Sequence, residues 1–156
     1  PAKSGFFVQA FLDADLGGCG LDRKSTTSGC QFLDGKLVSW QSKKQTCVSL
    51  SIAEAEYIAV ASCASHVIWI QSQLRDYDLN MKRIPLYCDS ESAIHICHNS
   101  VQHSKKKHIA LRYHFIKDHV EDDNVEIHFV RYSNQLADIF TKALPEASFN
   151  RILQGI

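Results

Sequence analysis

Four carboxylates carry the chemistry this sequence is equipped for: Asp13, Glu56, Asp89 and Asp138. The first stands in Phe7-Val8-Gln9-Ala10-Phe11-Leu12-Asp13-Ala14-Asp15, an apolar strand pattern that ends in two acids. Strand side chains alternate between faces, so Asp13 and Asp15 point the same way. An acid on the inward side of such a strand needs a compensating cation. The other three stand at or near the predicted ends of elements, where they are able to converge on the end of this strand. Like charges gather where a cation offsets their repulsion. Hard oxygen ligands suit magnesium, with manganese as the alternative. Two such ions about 4 Å apart activate a water and stabilise the leaving oxygen in phosphodiester cleavage, with no nucleophilic side chain. In keeping with this, the chain has no G-x-S-x-G elbow, no H-E-x-x-H and no P-loop.

Each acid also has an ordinary explanation. Glu54 and Glu56 fall near the start of a helix, where negative charge is favourable. Glu54 is used by a capping box, Ser51-Ile52-Ala53-Glu54, and Glu56 has no capping task. Asp89 follows a strand and precedes a helix, a position suited to an N-cap. Asp138 lies one turn into a predicted helix. Asp15 is either a further ligand or a loop-facing acid. Taken singly, none of these residues separates the readings; their joint placement around one sheet edge favours metal binding.

The elements that must position them read as follows. Residues 6–14 form a strand, Gly17-Gly18-Cys19-Gly20 a loop, and Thr27 to Leu33 a second strand. Asp34-Gly35 signals a tight hairpin into a third strand over Lys36 to Gln41. A long helix runs from the capping box to about Leu74, with an apolar stripe through Tyr57, Ala61, Ala64 and Ile68. Ile84 to Cys88 is a short strand in which Pro85 implies a side left unpaired at its start. Helices are expected over Ser90 to His98, Ile109 to Val120 and Asn134 to Lys142, a strand over Val125 to Arg131, and a last turn over Phe149 to Leu153. This order gives an α/β mixed sheet, an antiparallel three-stranded meander plus two parallel strands reached by right-handed crossovers. Strands one and four then lie side by side, and Asp13 and Asp89 meet at the carboxyl ends where open sheets bind ligands.

With 156 residues, 45% hydrophobic and 22% charged, the chain suits one globular domain over 1–156 with its core over about 6–145. No apolar run approaches the roughly 18 residues of a membrane helix, and cysteines spaced without short pairs lead to the expectation of an intracellular location. The chain begins with proline, which suggests a piece of a longer product. Its 17 basic and 17 acidic residues balance, yet residues 101–117 hold five cations, three histidines and no acid. The six cysteines, at 19, 30, 47, 63, 88 and 97, form no C-x-x-C and read as buried reduced thiols. A zinc site from His95, Cys97, His98, His103 and His108 matches no known module spacing.

The chain resembles the ribonuclease H domain of copia-type LTR retrotransposon polyproteins. The motifs that carry the likeness are Asp13-Ala14-Asp15, Arg23-Lys24-Ser25-Thr26-Thr27-Ser28-Gly29 and Ser39-Trp40-Gln41-Ser42-Lys43-Lys44-Gln45. They continue through Glu54-Ala55-Glu56-Tyr57, Cys88-Asp89-Ser90-Glu91-Ser92-Ala93-Ile94, Lys107-His108-Ile109 with Arg112-Tyr113-His114-Phe115, and Gln135-Leu136-Ala137-Asp138-Ile139-Phe140-Thr141-Lys142. The resemblance implies the ribonuclease H-like fold and hydrolysis of RNA in RNA–DNA hybrids, giving a 5′-phosphate and a 3′-hydroxyl. It assigns two Mg2+ ions to Asp13, Glu56, Asp89 and Asp138. Asp13 would bridge them, Glu56 and Asp89 would hold one side, and Asp138 the other. It also implies a reverse transcriptase neighbour in the same polyprotein, a cytoplasmic virus-like particle for an active element, and a monomeric isolated domain. Cellular ribonucleases H carry a loop histidine before the last acid; Arg131-Tyr132-Ser133-Asn134 has none, and His128 is a poor substitute, so slower proton transfer or product release is expected. Glu91 replaces a glutamine often found in cellular enzymes, Leu16 replaces the usual tryptophan, and His66 marks a lost acid.

For the hybrid's phosphates and 2′-hydroxyls, the candidates are Arg23, Lys24, Lys43, Lys44, Lys105, Lys106, Lys107 and Arg112, with Ser49, Ser51 and Ser90 as groove-facing hydroxyls. Two rivals share the fold. An inactive connection module would have lost acids, and all four remain. An integrase would place its glutamate last, whereas here it is second.

Overall fold

In the computed structural model, which describes residues 6–98 and 107–156 (side chains of 107–109 excepted), the first strand is the hinge of the architecture. Strand β1 (Val8–Asp15) pairs antiparallel with β2 (Thr26–Leu33), and β2 with β3 (Lys36–Lys44). On its other side β1 pairs parallel with β4 (Ile84–Cys88), which pairs parallel with β5 (Val125–Phe129). The sheet order is β3-β2-β1-β4-β5. The β2–β3 hairpin turns at Asp34 and Gly35, with φ of +53° and +76°. Two successive positive φ values match the right-handed twist of the flanking strands, which is why Asp-Gly stands there. The β1–β4 ladder involves only Leu86 and Tyr87 on β4 and so begins after Pro85, whose nitrogen has no proton to donate.

Helix α1 (Ile52–Arg75) covers one face of the sheet. Its Tyr57, Val60, Ala64 and Val67 pack with Val8, Ala10, Leu12 and Ala14 of β1 and with Leu86 and Val125. Helices α2 (Glu91–His98) and α3 (Lys107–Glu121) add Ala93, Cys97, Tyr113 and Ile116 to the same core. The opposite face is thinner. There Phe11, Cys30 and Phe32 meet Ala137, Leu136 and Phe140, and Trp40 stacks on Phe140 at 5.1 Å. Helix α4 (Glu146–Leu153) closes the described chain. The alternation of β1 therefore places Ala10, Leu12 and Ala14 under α1, and Phe11, Asp13 and Asp15 on the thinner face.

The segment expected to be a helix over Asn134 to Lys142 is instead two 3-10 turns, Tyr132–Asn134 and Leu136–Phe140. The cause is competition for backbone groups. The Ser28 hydroxyl donates to the carbonyl of Ala137 (2.8 Å), which an α-helix would have offered to Thr141. The Thr141 amide bonds Asp138 three residues back instead (3.1 Å). The last element also begins earlier than expected, at Glu146. At the capping box, Ser51 Oγ accepts from the Glu54 amide (3.1 Å), while the Glu54 carboxylate accepts from the amide of Leu50 (2.8 Å). Among the described residues no helix is long and apolar enough to cross a membrane.

Candidate active site

All four acids reach one cleft or its wall. A cavity of about 500 Å³ is lined by Asp13, Asp15, Glu56, Asp89, Ser90, Tyr132 and Lys142. Asp138 stands behind Lys142, which it meets at 2.8 Å. Each acid arrives by a different local device. Asp13 is carried by a central strand and is 2% exposed. Glu56, 3% exposed, comes from the first turns of α1 and accepts from the Ala14 amide at 3.1 Å, which fastens helix to strand. Asp89 follows β4. It is spared the N-cap role because Ser90 Oγ takes the Ala93 amide (3.2 Å). Asp138, 1% exposed, hangs on the 3-10 turn that Ser28 and Gln135 pin beneath the sheet. Buried Gln135 donates to the Leu12 carbonyl at 2.8 Å and accepts from the Ala137 amide at 3.3 Å.

The acids divide into two pairs. Glu56 and Asp89, with the Cys88 thiol, each place a ligand atom within 4.8 Å of the others. Asp13 and Asp138 are joined by the Lys142 ammonium, 3.8 Å from Asp13 Oδ2 and 2.8 Å from Asp138 Oδ1. Thr141 Oγ1 also donates to Asp13 Oδ2, at 2.5 Å. Burial pushes the Asp13 carboxyl up to about 6, with the charges of Asp138 and Asp89 adding to the rise and Thr141 and Lys142 opposing it. Burial, then the charges of Asp13 and Asp89, push Glu56 up to about 9 against the pull of the Ala14 amide. Asp89 is raised as well, mainly by burial. Burial alone would lower Lys142, but the carboxylates of Asp138 and Asp13 reverse this and hold it above the ordinary lysine value. The cleft thus has more carboxylate than one ammonium neutralises, the condition under which a divalent cation binds. Two carboxylates within reach of each other, and a third coupled to them by charge, fit such an ion.

Thr141, Lys142 and Tyr132 join the site although the linear motifs assign none of them a role. The i,i+4 spacing of Asp138 and Lys142 was the available signal. Asp15 is only half-buried at the cleft rim.

The expected nucleic-acid contacts fare unevenly. Lys43, Lys44 and Arg112 line a second groove of about 390 Å³ with Thr27, Gln45 and Ser62. Lys44 is paired with Asp22 at 3.0 Å, and Lys24 lies 3.9 Å from the same acid. Arg23 is exposed in a loop. Ser51 is exposed as the α1 cap and Ser90 borders the cleft. Ser49 is turned inward: it is buried, and its hydroxyl donates to Gln45 Oε1 at 2.8 Å, so it is not presented to a groove. His103, Lys105 and Lys106, and the side chains of Lys107 and His108, lie outside what the structure describes. The six cysteines are free thiols, four of them buried. Among the described residues His95, Cys97 and His98 form no metal cluster.

Comparison with solved structures places this architecture in the ribonuclease H fold. The crystal structure of LC11-RNase H1 in complex with an RNA/DNA hybrid matches with a TM-score of 0.62 and 14% identity, over 86% of this chain and 93% of that one. The prototype foamy virus protease–reverse transcriptase matches with a TM-score of 0.53 and 11% identity, over 98% of this chain and 20% of that one. The chain is homologous to retrovirus-related Pol polyproteins of plant transposons. It is 39% identical to that of TNT 1-94 from Nicotiana tabacum over 142 residues, and 39% identical to that of RE1 from Arabidopsis thaliana over 150 residues. These alignments take in 91% and 96% of the chain and only 11% and 10% of the polyproteins, so the chain spans about a tenth of the length of these two relatives. No protein-family model matches it.

Proposed function

We propose that the chain is a metal-dependent endoribonuclease that hydrolyses the RNA strand of RNA–DNA hybrids during reverse transcription of a retrotransposon. The observation that carries this reading is the gathering of Asp13, Glu56, Asp89 and Asp138 from four separate elements around one cleft, with their charges under-compensated. The ribonuclease H fold and the Pol polyprotein homologues support it. In this reading residues 1–156 are one ribonuclease H domain with its core over about 6–145, adjoining a reverse transcriptase region and working inside a cytoplasmic particle.

Glu56 and Asp89 would hold one Mg2+, Asp138 another, and Asp13 both. When bound, the ions would activate a water and neutralise charge on the leaving oxygen, so that cleavage leaves a 5′-phosphate and a 3′-hydroxyl. The protein's own contribution is placement. Ala14 fixes Glu56, Thr141 fixes Asp13, and the pinned 3-10 turn fixes Asp138. Lys43 and Arg112 present charge for phosphates along the neighbouring groove, and Arg23, Lys24, Lys44, Ser51 and Ser90 lie at exposed or partly exposed positions. An inactive module is disfavoured because all four acids are present and their charges are felt by one another.

The test is incubation of the chain with labelled hybrid, with and without Mg2+, beside Asp89→Asn. Cleavage by the parent and a loss of about 1,000-fold or more in the variant, with unchanged circular dichroism, is expected. Full activity of Asp89→Asn in Mg2+ would remove Asp89 from the site.

A further inference from the structure

We propose that the Lys142 ammonium is a built-in competitor for one of the two metal positions, so that the ions load in a fixed order. The inference rests on the metal-dependent reading above and goes beyond it in making the two positions unequal. The ammonium bridges Asp13 and Asp138, while no lysine or arginine among the described residues is paired with Glu56 or Asp89. A first ion meets the Glu56–Asp89 side without displacing a protein cation. A second ion at the Asp13–Asp138 side has to move Lys142 away from both carboxylates.

The Tyr132 ring already flanks the ammonium in its bridging position, with Nζ 5.3 Å from the ring centre, and it lines the same cleft. Tyr132 is 52% exposed, so the ring is open to a lysine that swings outward, and a cation over an aromatic face is held favourably. Lys142 is itself only partly buried and belongs to the irregular segment after the 3-10 turn, so no helix has to break for it to move. The lysine thus serves two states. Before metal binding it neutralises a buried pair of acids that would otherwise repel each other. After the second ion arrives it sits at the rim.

A merely structural ion pair would affect stability and leave metal binding alone; a competitor affects both in opposite senses. Calorimetric titration of the 156-residue chain with Mn2+ and with Mg2+ is compared with Lys142→Met, which keeps the length and loses the charge. The weaker of the two binding events should tighten by about tenfold or more in the variant, while the stronger one moves little. Without metal the variant should melt at a lower temperature than the parent, and Mg2+ should raise its melting temperature by more. A variant that folds only when Mg2+ is present supports the proposal too. Lys142→Arg supplies the check if the methionine variant does not fold at all. It keeps the charge and should not tighten the weaker event, so a second ion that binds Lys142→Arg more tightly than the parent would overturn the idea. An unchanged or weakened second event in Lys142→Met would also overturn it. Binding of two ions with that result defeats this inference alone, whereas no binding by parent or variant defeats the metal-dependent reading itself.

Discussion

The acids in this cleft are held at the limit of what their surroundings tolerate as charges. Glu56 is the extreme case, since it is buried at the start of α1 with the Ala14 amide and the Cys88 thiol as its donors and two other carboxylates nearby. Both Asp13 and Glu56 keep protons to higher pH in the folded, metal-free chain than in the unfolded one. The folded state therefore binds more protons, and its stability falls as pH rises. The fall begins in the ordinary carboxylate range, continues to about 6 for Asp13 and extends to about 9 for Glu56. Metal-free thermal melts should show a melting temperature that declines across this window. Glu56→Gln should flatten the upper part, between about 6 and about 9. A parent protein whose stability rises over that upper interval would contradict the placement of Glu56. Magnesium should raise the melting temperature most at the alkaline end, where the acids are ionised and the repulsion is greatest.

At the scale of elements, the short 3-10 turn is the most consequential departure from what periodicity suggests. A turn of five residues has little stability of its own. Side-chain hydrogen bonds that tie it to the sheet are Ser28 to the Ala137 carbonyl, Gln135 to the Leu12 carbonyl, and Thr141 to Asp13. Gln135→Leu is a volume-similar change that leaves the buried Leu12 carbonyl and Ala137 amide without their partner. It should destabilise the fold by about 1–3 kcal/mol in chemical denaturation. It should also weaken Mg2+ binding, because Asp138 loses its fixed position. A variant as stable as the parent and equally avid for Mg2+ would show that the turn is positioned by its apolar contacts alone.

For the whole molecule, a net charge of zero conceals an uneven surface. Lys43 and Lys44 stand side by side at the end of β3, yet only Lys44 is neutralised locally, by Asp22. Their contributions to hybrid binding should differ accordingly. Lys43→Ala should reduce the slope of log affinity against log salt by about one, and Lys44→Ala should reduce it by less. Fluorescence anisotropy with a labelled hybrid across a salt series distinguishes them. Equal slopes for both variants and the parent would take this groove out of the binding surface.

Much of the architecture was legible in the linear chain because it is written in local physics. The alternation of β1, the Asp34-Gly35 turn and the Ser51 cap each depend on residues a few positions apart, and each formed where it was expected. The adjacency of β1 and β4, and hence of Asp13 and Asp89, followed from strand order and crossover handedness. What the chain alone could not show was who partners whom across long separations. Ser28 takes a carbonyl from residue 137 and turns an anticipated helix into a 3-10 turn. Gln45 claims Ser49 from the surface, and Lys142 fills the space between two acids that lie 125 positions apart in sequence. Residue types and spacing determined that carboxylates would be available at element ends; only tertiary packing decided which are bridged by an ammonium and which are left open to a cation, because burial and the charge of neighbours, absent from the linear chain, set the energy of each.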